Sequence, residues 1–149
     1  MGTTEWWNSP NAAILDTTNS AAFNWFQSLL KKIREDFKVH SFKFDAGESR
    51  FLPENYVLNA TEDEVPEVWT RNYMKLVASF GNGIECRCGR DTMEYPVIVR
   101  IIDRDSQWVA DTGINSLVPA VLTIGLIGYP FVLPDMVGGD NFKLLSNDK

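Results

Sequence analysis

Segments patterned as helices alternate with short apolar segments patterned as strands along most of this sequence. Apolar residues recur at spacings of three and four in residues 19–37 and 64–80, which predicts two helices. Residues 111–128 predict a third helix with a kink or break at Pro119. The strand-like runs cover residues 39–44, 84–88, 95–102 and 129–133. Because helices between strands favour parallel pairing, the order predicts an α/β fold, which a doubly wound sheet and a barrel both satisfy.

Two of the strand-like runs deliver carboxylates to the position where the apolar pattern breaks. Parallel barrels present their catalytic groups in this way, at the carboxyl ends of strands. Two carboxylates from different strands are also what glycoside hydrolysis requires. The charged and aromatic residues at these two breaks are Asp45, Glu48, Asp103, Asp105 and Trp108.

The composition of the chain narrows the classes of protein that it can belong to. Its 149 residues and 44% hydrophobic content suffice for one domain with a real core. A net charge of -6 disfavours nucleic-acid binding, which relies on Lys and Arg to neutralise phosphates. No stretch of 18 or more apolar residues occurs, so we expect no membrane segment, and the first residues do not resemble a signal peptide.

The two cysteines, Cys86 and Cys88, are too few for a disulfide framework. Since alternate residues of a strand point to opposite faces, we expect one thiol in the core and one facing outward. The single histidine, His40, is remote from them in sequence, so the chain offers no evident metal-ligand set here.

Five segments resemble glycoside hydrolase family 31, and together they extend over nearly the whole chain. They are Trp6-Trp7 with Ala13–Asn19, then Phe42–Glu48, Asp103–Trp108, Pro119–Pro130 and Asp135–Gly139. The resemblance implies a (β/α)₈ barrel that cleaves α-glycosidic bonds with retention and uses no cofactor. Within the family, the second and third segments are most similar to a branch active on α-galactosides.

The resemblance implies that Asp45 is the nucleophile and Asp103 the acid/base, because Trp108 follows Asp103 at the family's spacing. Asp105 is the competing acid/base, since Arg100-Ile101-Ile102 stands where the family more usually has His-Trp-x-Gly-Asp. The other charged or aromatic residues at the strand ends are expected to contact the sugar. These are Lys43, Glu48, Arg100, Asp105, Trp108 and Asp135.

The resemblance also implies that residues 1–149 form a partial catalytic barrel, from about the third or fourth strand to the seventh. A complete barrel of this kind needs about 250 residues, so the first strands and the last strand are expected to be missing. An open barrel exposes strand edges, which favours self-association. The compartment is open; the resemblance alone points to the endomembrane lumen or secretion.

Two alternatives to a glycosidase remain. The chain can be a catalytically silent fragment, or a carbohydrate-binding or interaction protein derived from such an enzyme. Asp103-Arg104-Asp105 also has the form of the D-x-D motif of metal-dependent sugar transferases, whose hard oxygen ligands suit Mg²⁺ or Mn²⁺. A transferase of this kind would lose its activity on chelation, whereas a glycosidase would not.

Overall fold

The computed structural model describes residues 3–6 and 9–140, so Trp7 and the tail after Asp140 lie outside the described residues. The chain divides into two compact units, residues 1–97 and residues 98–149. The first unit contains β1 (Thr3–Trp6), β2 (Ser9–Ala13), α1 (Ser20–Phe37), β3 (Lys43–Phe44), α2 (Glu67–Ala78) and β4 (Glu85–Cys86). The second contains β5 (Ile98–Arg100), α3 (Leu117–Leu126) and β6 (Val132–Leu133). Short 3₁₀ turns lie at Ser49–Phe51, Glu62–Glu64 and Ile114–Ser116.

The first unit begins with an antiparallel hairpin that the sequence pattern did not predict. In it, β1 pairs with β2 so that Thr4 lies opposite Ala12. The Trp6 ring lies 4.9 Å from the Phe51 ring, centroid to centroid. The hairpin therefore contributes an aromatic side chain to the region that follows β3.

Helix α1 confirms the helix predicted over residues 19–37. The Asn19 side chain caps it by accepting hydrogen bonds from the backbone N–H groups of Ala21 and Ala22, at 2.9 and 3.2 Å. The helix ends at Lys38, which adopts a left-handed conformation with φ 55° and whose N–H donates to the Arg34 carbonyl. Both ends of the helix are thus specified locally.

The core of the first unit lies between α2 and the parallel pair formed by β3 and β4. Phe44 pairs with Cys86 in this register. The buried apolar residues of this core are Phe44, Trp69, Met74, Leu76, Val77, Phe80, Ile84, Cys86 and Cys88. The connection β3-α2-β4 is therefore a β-α-β unit, as the alternating pattern predicted.

The second unit repeats this arrangement with β5, α3 and β6. Val99 lies opposite Val132 and Arg100 opposite Leu133, in parallel. The predicted kink at Pro119 is wrong, because α3 begins at Leu117 and places Pro119 in its first turn. The N–H groups of a first turn have no intrahelical acceptor, so proline costs nothing there. The parallel pairing in both units confirms the α/β class.

The prediction for the two thiols is wrong, because both are buried, with 0% of Cys86 and 6% of Cys88 exposed. β4 ends at Cys86, so the alternation expected of a strand does not extend to Cys88. The Cys86 thiol donates to the Cys88 carbonyl at 3.4 Å. Burial raises the pKa of Cys86 to about 12 and raises that of Cys88 as well. Both cysteines are therefore protonated core residues at neutral pH.

Candidate functional site

A charged residue follows the carboxyl end of each of the four parallel strands described above. Asp45 comes directly after β3 and Arg87 directly after β4. In the second unit, Asp103 follows β5 after two residues and Asp135 follows β6 after one. In open α/β sheets and in barrels, ligands bind at the carboxyl ends of the strands. Each unit therefore has its candidate chemistry at the end where such folds carry their sites.

In the first unit, Arg87 joins two of the predicted carboxylates. Its side chain is only 1% exposed. Its Nη1 lies 3.3 Å from Asp45 Oδ1, and its Nε donates to Glu48 Oε1 at 3.0 Å. Its Nη2 reaches the second Glu48 oxygen at 3.5 Å, which completes a bidentate pair. A buried guanidinium thus fixes both carboxylates, and it leaves the Asp45 side chain 49% exposed to a ligand.

Sequence reasoning missed Arg87, although its neighbours carry a usable signal. Arg87 stands between two buried cysteines, immediately after a run that ends at Cys86. A cation at the end of an apolar run matches the pattern used to find Asp45. The two carboxylates that it pairs with lie about forty positions away in sequence, so no local motif connects them.

Helix α2 holds the backbone on which Asp45 stands. The Tyr73 hydroxyl donates to the Asp45 carbonyl at 2.7 Å, and the Thr70 hydroxyl donates to the Gly47 carbonyl at 2.8 Å. Burial raises the pKa of Tyr73, with a smaller contribution from neighbouring acidic groups, so the hydroxyl remains a donor. The turn itself has positive φ at Ala46 (56°) and Gly47 (93°). Two hydrogen bonds from α2 therefore fix the backbone of this turn, and the Asp45 carboxylate projects from it.

Lys43 lies on β3 and pairs across the strand ladder rather than along its own strand. Its Nζ lies 3.6 Å from Glu85 Oε1 on β4. The Lys43 side chain is 58% exposed, so this ion pair is a weak, solvated one.

In the second unit, Arg100 joins two carboxylates, as Arg87 does in the first. Its Nη1 donates to Asp103 Oδ1 at 2.7 Å and to Asp135 Oδ1 at 2.6 Å. Arg100 and Asp135 are almost wholly buried, while the Asp103 side chain is 26% exposed. Three residues that the sequence identified separately, Arg100, Asp103 and Asp135, therefore form one cluster.

Asp140 is a fourth member of this cluster that the sequence did not identify. Burial raises the pKa of its carboxyl, and the negative charges of Asp135 and Asp103 raise it further. Carboxylate oxygens of Asp103, Asp135 and Asp140 lie within 4.8 Å of one another, a spacing that a cation could bridge. Arg100 already supplies a positive charge to two of the three, so the cluster has a counter-ion built into the chain.

Asp105 and Trp108 have hydrogen-bond partners outside that cluster. The Asp105 carboxylate accepts a hydrogen bond from the Thr112 hydroxyl at 2.7 Å. Asp103 and Asp105 thus have different partners. Of these two residues, only Asp103 belongs to the group of carboxylates that a cation could bridge. The Trp108 residue is 76% exposed, and its carbonyl accepts from the Asn115 amide at 3.1 Å.

Comparison with known proteins indicates a relationship to glycosidases. The chain is 43% identical over 135 residues to the myogenesis-regulating glycosidase of Mus musculus, covering 91% of this chain and 19% of that protein. It is 27% identical over 136 residues to the sulfoquinovosidase of Escherichia coli strain K12, covering 84% of this chain and 20% of that enzyme. It is 26% identical over 136 residues to the SITS-binding protein of Tetronarce californica, covering 89% of this chain and 19% of that protein.

The chain spans about a fifth of the length of the curated relatives that it matches. No family model matches it. Within the described residues, none of the helices has both the length and the apolar character that crossing a membrane requires.

Proposed function

We propose that this chain is part of the catalytic barrel of a retaining α-glycosidase of glycoside hydrolase family 31, with Asp45 as nucleophile and Asp103 as acid/base. The observation that carries the proposal is the position of the charged residues, which follow the carboxyl end of every parallel strand described. The relationship to two proteins named as glycosidases supports the same reaction class. On this proposal, the two β-α-β units are successive parts of a (β/α)₈ barrel.

The proposed reaction proceeds by double displacement. The Asp45 carboxylate attacks the anomeric carbon while the Asp103 carboxyl gives its proton to the departing glycosidic oxygen. Water, deprotonated by Asp103, then attacks the glycosyl–Asp45 ester and releases the sugar. Each displacement inverts the anomeric carbon, so the product keeps the α configuration.

Each aspartate lies next to a buried arginine, in a different arrangement. The Asp45 oxygen faces a buried guanidinium, which fixes the orientation of the nucleophile. Asp103 shares Arg100 with Asp135, so part of that cation's charge is already neutralised by a second carboxylate. In this proposal Asp135, Glu48, Lys43 and Trp108 contact substrate hydroxyls or a sugar face, and Asp105 orients the loop that carries Asp103.

The substrate class proposed first is an α-galactoside, since the wording around Asp45 and Asp103 resembles the branch active on these sugars. The test is hydrolysis of 4-nitrophenyl α-galactoside by the longest natural polypeptide that contains this sequence. We expect Asp45→Asn to lower kcat by at least about a thousandfold. The matched control is Asp36→Asn, which makes the same change at an exposed position on α1 and should leave kcat unchanged.

Two further measurements separate this reaction from its competitors. Proton NMR of the first product formed should show the α anomer; the β anomer would contradict a double displacement. Addition of a chelator should leave the rate unchanged, whereas a sugar transferase that holds Mg²⁺ or Mn²⁺ through Asp103 and Asp105 would lose its activity. Equal activity of Asp45→Asn and the unmodified protein would exclude the mechanism.

A second candidate function is sugar binding without hydrolysis. One relative is named as a binding protein rather than an enzyme, and this chain spans about a fifth of each relative. On this alternative the 149-residue chain binds α-galactosides, or associates with itself through exposed strand edges, and does not turn substrate over. Sedimentation of the chain at several concentrations, with and without the sugar, distinguishes monomer, self-associated chain and sugar complex.

A further inference from the structure

One asparagine of this chain stands in the Asn-x-Thr pattern that accepts N-linked glycans. Asn59-Ala60-Thr61 is the only place in the sequence where an asparagine is followed two positions later by serine or threonine, with no proline between them. The pattern is short and occurs by chance, so it indicates a modification site only where the fold also presents the asparagine. The exposure of the side chain, the conformation of the backbone and the contacts of the amide decide this.

The fold places this pattern at the surface of the first unit. Asn59 and Thr61 are both exposed, and neither Asn59 nor Ala60 belongs to a helix or a strand. The three residues lie in the long connection between β3 and α2, just before the 3₁₀ turn Glu62–Glu64. A bulky group attached to such a connection extends into solvent and displaces no packed side chain.

The fold holds the backbone of Asn59 but not its side chain. The Asn59 N–H donates to the Thr18 hydroxyl oxygen at 2.9 Å. Thr18 is buried, and its own hydroxyl donates to Asp16 Oδ1 at 2.6 Å. Within the described residues, no hydrogen bond engages the Asn59 side-chain amide. The backbone is therefore anchored from the inside while the amide faces solvent.

Two other asparagines show the contrast. Asn19 Oδ1 accepts hydrogen bonds from two backbone N–H groups at the start of α1. The Asn115 amide donates to the Trp108 carbonyl at 3.1 Å. The protein itself uses both of these side chains, and neither stands in the acceptor pattern. Asn59 combines that pattern with a side chain that the fold leaves unused.

Thr61 has two roles in this segment, and one substitution can separate them. Its hydroxyl donates to Glu64 Oε2 at 2.9 Å and its N–H donates to the same oxygen at 3.3 Å, at the start of the 3₁₀ turn. Its hydroxyl also completes the acceptor pattern, two positions after Asn59. Asparagine is as good a capping residue as threonine but does not complete the pattern.

We propose that Asn59 is an N-glycosylation site, modified during passage through the secretory pathway. The donor is an oligosaccharide joined through a diphosphate to a polyprenol lipid. The Asn59 Nδ2 atom forms a bond to C1 of the first sugar, the bond from C1 to the diphosphate oxygen breaks, and the lipid diphosphate leaves. The amide gives up one proton, and nothing is oxidised or reduced. The proposal is independent of the proposed function, because no residue assigned to catalysis takes part.

The test uses the longest natural polypeptide that contains this sequence, produced in an animal cell line. No targeting sequence is added, so the polypeptide reaches the glycosylating enzyme only by its own route. Peptide N-glycosidase F in H₂¹⁸O then releases any glycan and leaves an ¹⁸O-labelled aspartate in place of the glycosylated asparagine. We expect mass spectra of the tryptic peptide 51–71 to show this label at position 59 in most molecules. Asn55 lies in the same peptide outside the pattern, so it reports spontaneous deamidation.

Four variants make the test specific. Asn59→Gln and Thr61→Asn remove the pattern and should abolish the label, while Thr61→Asn keeps a capping residue before the 3₁₀ turn. Thr61→Ser keeps both the hydroxyl and the pattern, so the label should remain. The matched control is Asn55→Gln, the same change at an exposed asparagine of the same connection, which should also retain the label at position 59. The thermal unfolding midpoint of Asn59→Gln should be unchanged, because its side chain has no partner to lose among the described residues.

The outcomes separate this inference from the proposed function, because the glycan is detected by mass and not by hydrolysis. Loss of the label in Thr61→Asn, together with its retention in Thr61→Ser and Asn55→Gln, would support the site. An unlabelled position 59 in the polypeptide without substitutions would overturn it, and so would a label that persists in Thr61→Asn. A protein glycosylated at Asn59 that hydrolyses no glycoside would retain this site and reject the catalytic assignment of Asp45.

Discussion

The buried guanidinium of Arg87 lies between two carboxylates, with Nη1 3.3 Å from Asp45 Oδ1 and Nε 3.0 Å from Glu48 Oε1. One cation therefore ties the end of β4 to both ends of the turn that follows β3. Glu48 holds the guanidinium in a bidentate pair, which leaves Nη1 in a set position towards Asp45. Arg87 is in this sense a positioning residue for the proposed nucleophile.

Arg87→Lys is expected to lower kcat for the aryl galactoside by about ten- to a hundredfold while KM changes little. A lysine keeps the charge but cannot hold Glu48 through two parallel hydrogen bonds, so Asp45 loses its fixed orientation. Arg87→Met should lower kcat further and reduce the free energy of unfolding by roughly 1–3 kcal/mol, since two carboxylates lose their partner. Steady-state kinetics and urea unfolding give these values.

The matched control for that series is Arg90→Lys, because Arg90 is 55% exposed and pairs with Glu67 and Asp91 only at 3.6–3.8 Å. It should alter neither kcat nor stability measurably. A purely structural role for Arg87 predicts a different result. In that case, Arg87→Lys would lower stability and leave kcat unchanged in the folded fraction.

Gly47→Ala is expected to destabilise the first unit by about 2–4 kcal/mol. Gly47 has φ 93°, and a Cβ there would meet the Tyr73 ring and lie 2.6 Å from Cys88 Sγ. The control is Gly83→Ala, where φ is 71° but no atom lies within 4 Å of the added carbon, so only the backbone strain of about 1 kcal/mol remains. Urea unfolding of both variants separates the two contributions, and equal losses would show that the packing around Gly47 is not tight.

The parts of the fold that could be predicted are those that the sequence encodes locally. Asn19 and the spacing of apolar residues after it define α1 without any reference to the rest of the chain. Asp45 could be placed at a strand end because the break in the apolar pattern is local as well. The strand lengths could not be predicted, because they depend on pairing between distant segments. β3 pairs with β4 over only two residues, and a ladder is no longer than the shorter of its two strands.

The parts of the site that escaped prediction depend on contacts between distant residues. Arg87 and Glu48 are separated by 39 positions, and Arg100 and Asp135 by 35, so the sequence does not reveal either pairing. The hairpin of β1 and β2 was missed for a different reason. Its second strand contains Pro10, which lacks an N–H and is tolerated only where the ladder does not require one. Asp140 was missed because it follows a glycine-rich turn with no apolar run before it.

Asp140→Asn is expected to stabilise the protein at neutral pH and to have little effect near pH 3.5. The pKa of Asp140 is raised above its ordinary value of 3.8 by burial and by the charges of Asp135 and Asp103. The folded state therefore binds the proton more tightly than the unfolded state, so stability falls as the pH rises from the ordinary pKa through the raised one. An asparagine amide is neutral at every pH and can still donate to Asp135, so this loss disappears in the variant.

The measurement for Asp140 is the difference in unfolding free energy between the variant and the unmodified protein, taken from pH 3.5 to pH 7. The difference should grow with pH and reach a plateau above the raised pKa. A difference that stays constant over this range would mean that the carboxyl is not perturbed by its neighbours. A variant that is less stable at neutral pH would mean that the ionised form of Asp140 is favoured in the fold.

Asp103→Asn is expected to lower kcat/KM for methyl α-galactoside below detection, while kcat/KM for the 4-nitrophenyl compound, which reports only the first displacement, is much less affected. A methoxide leaving group needs the proton that Asp103 is proposed to give, whereas nitrophenolate departs without one. The variant should also lose the alkaline limb of its pH–rate profile, because that limb reports ionisation of the acid. The matched control is Asp105→Asn, whose carboxylate accepts from Thr112 and should show no dependence on the leaving group. If Asp105→Asn shows that dependence and Asp103→Asn does not, the acid/base is Asp105.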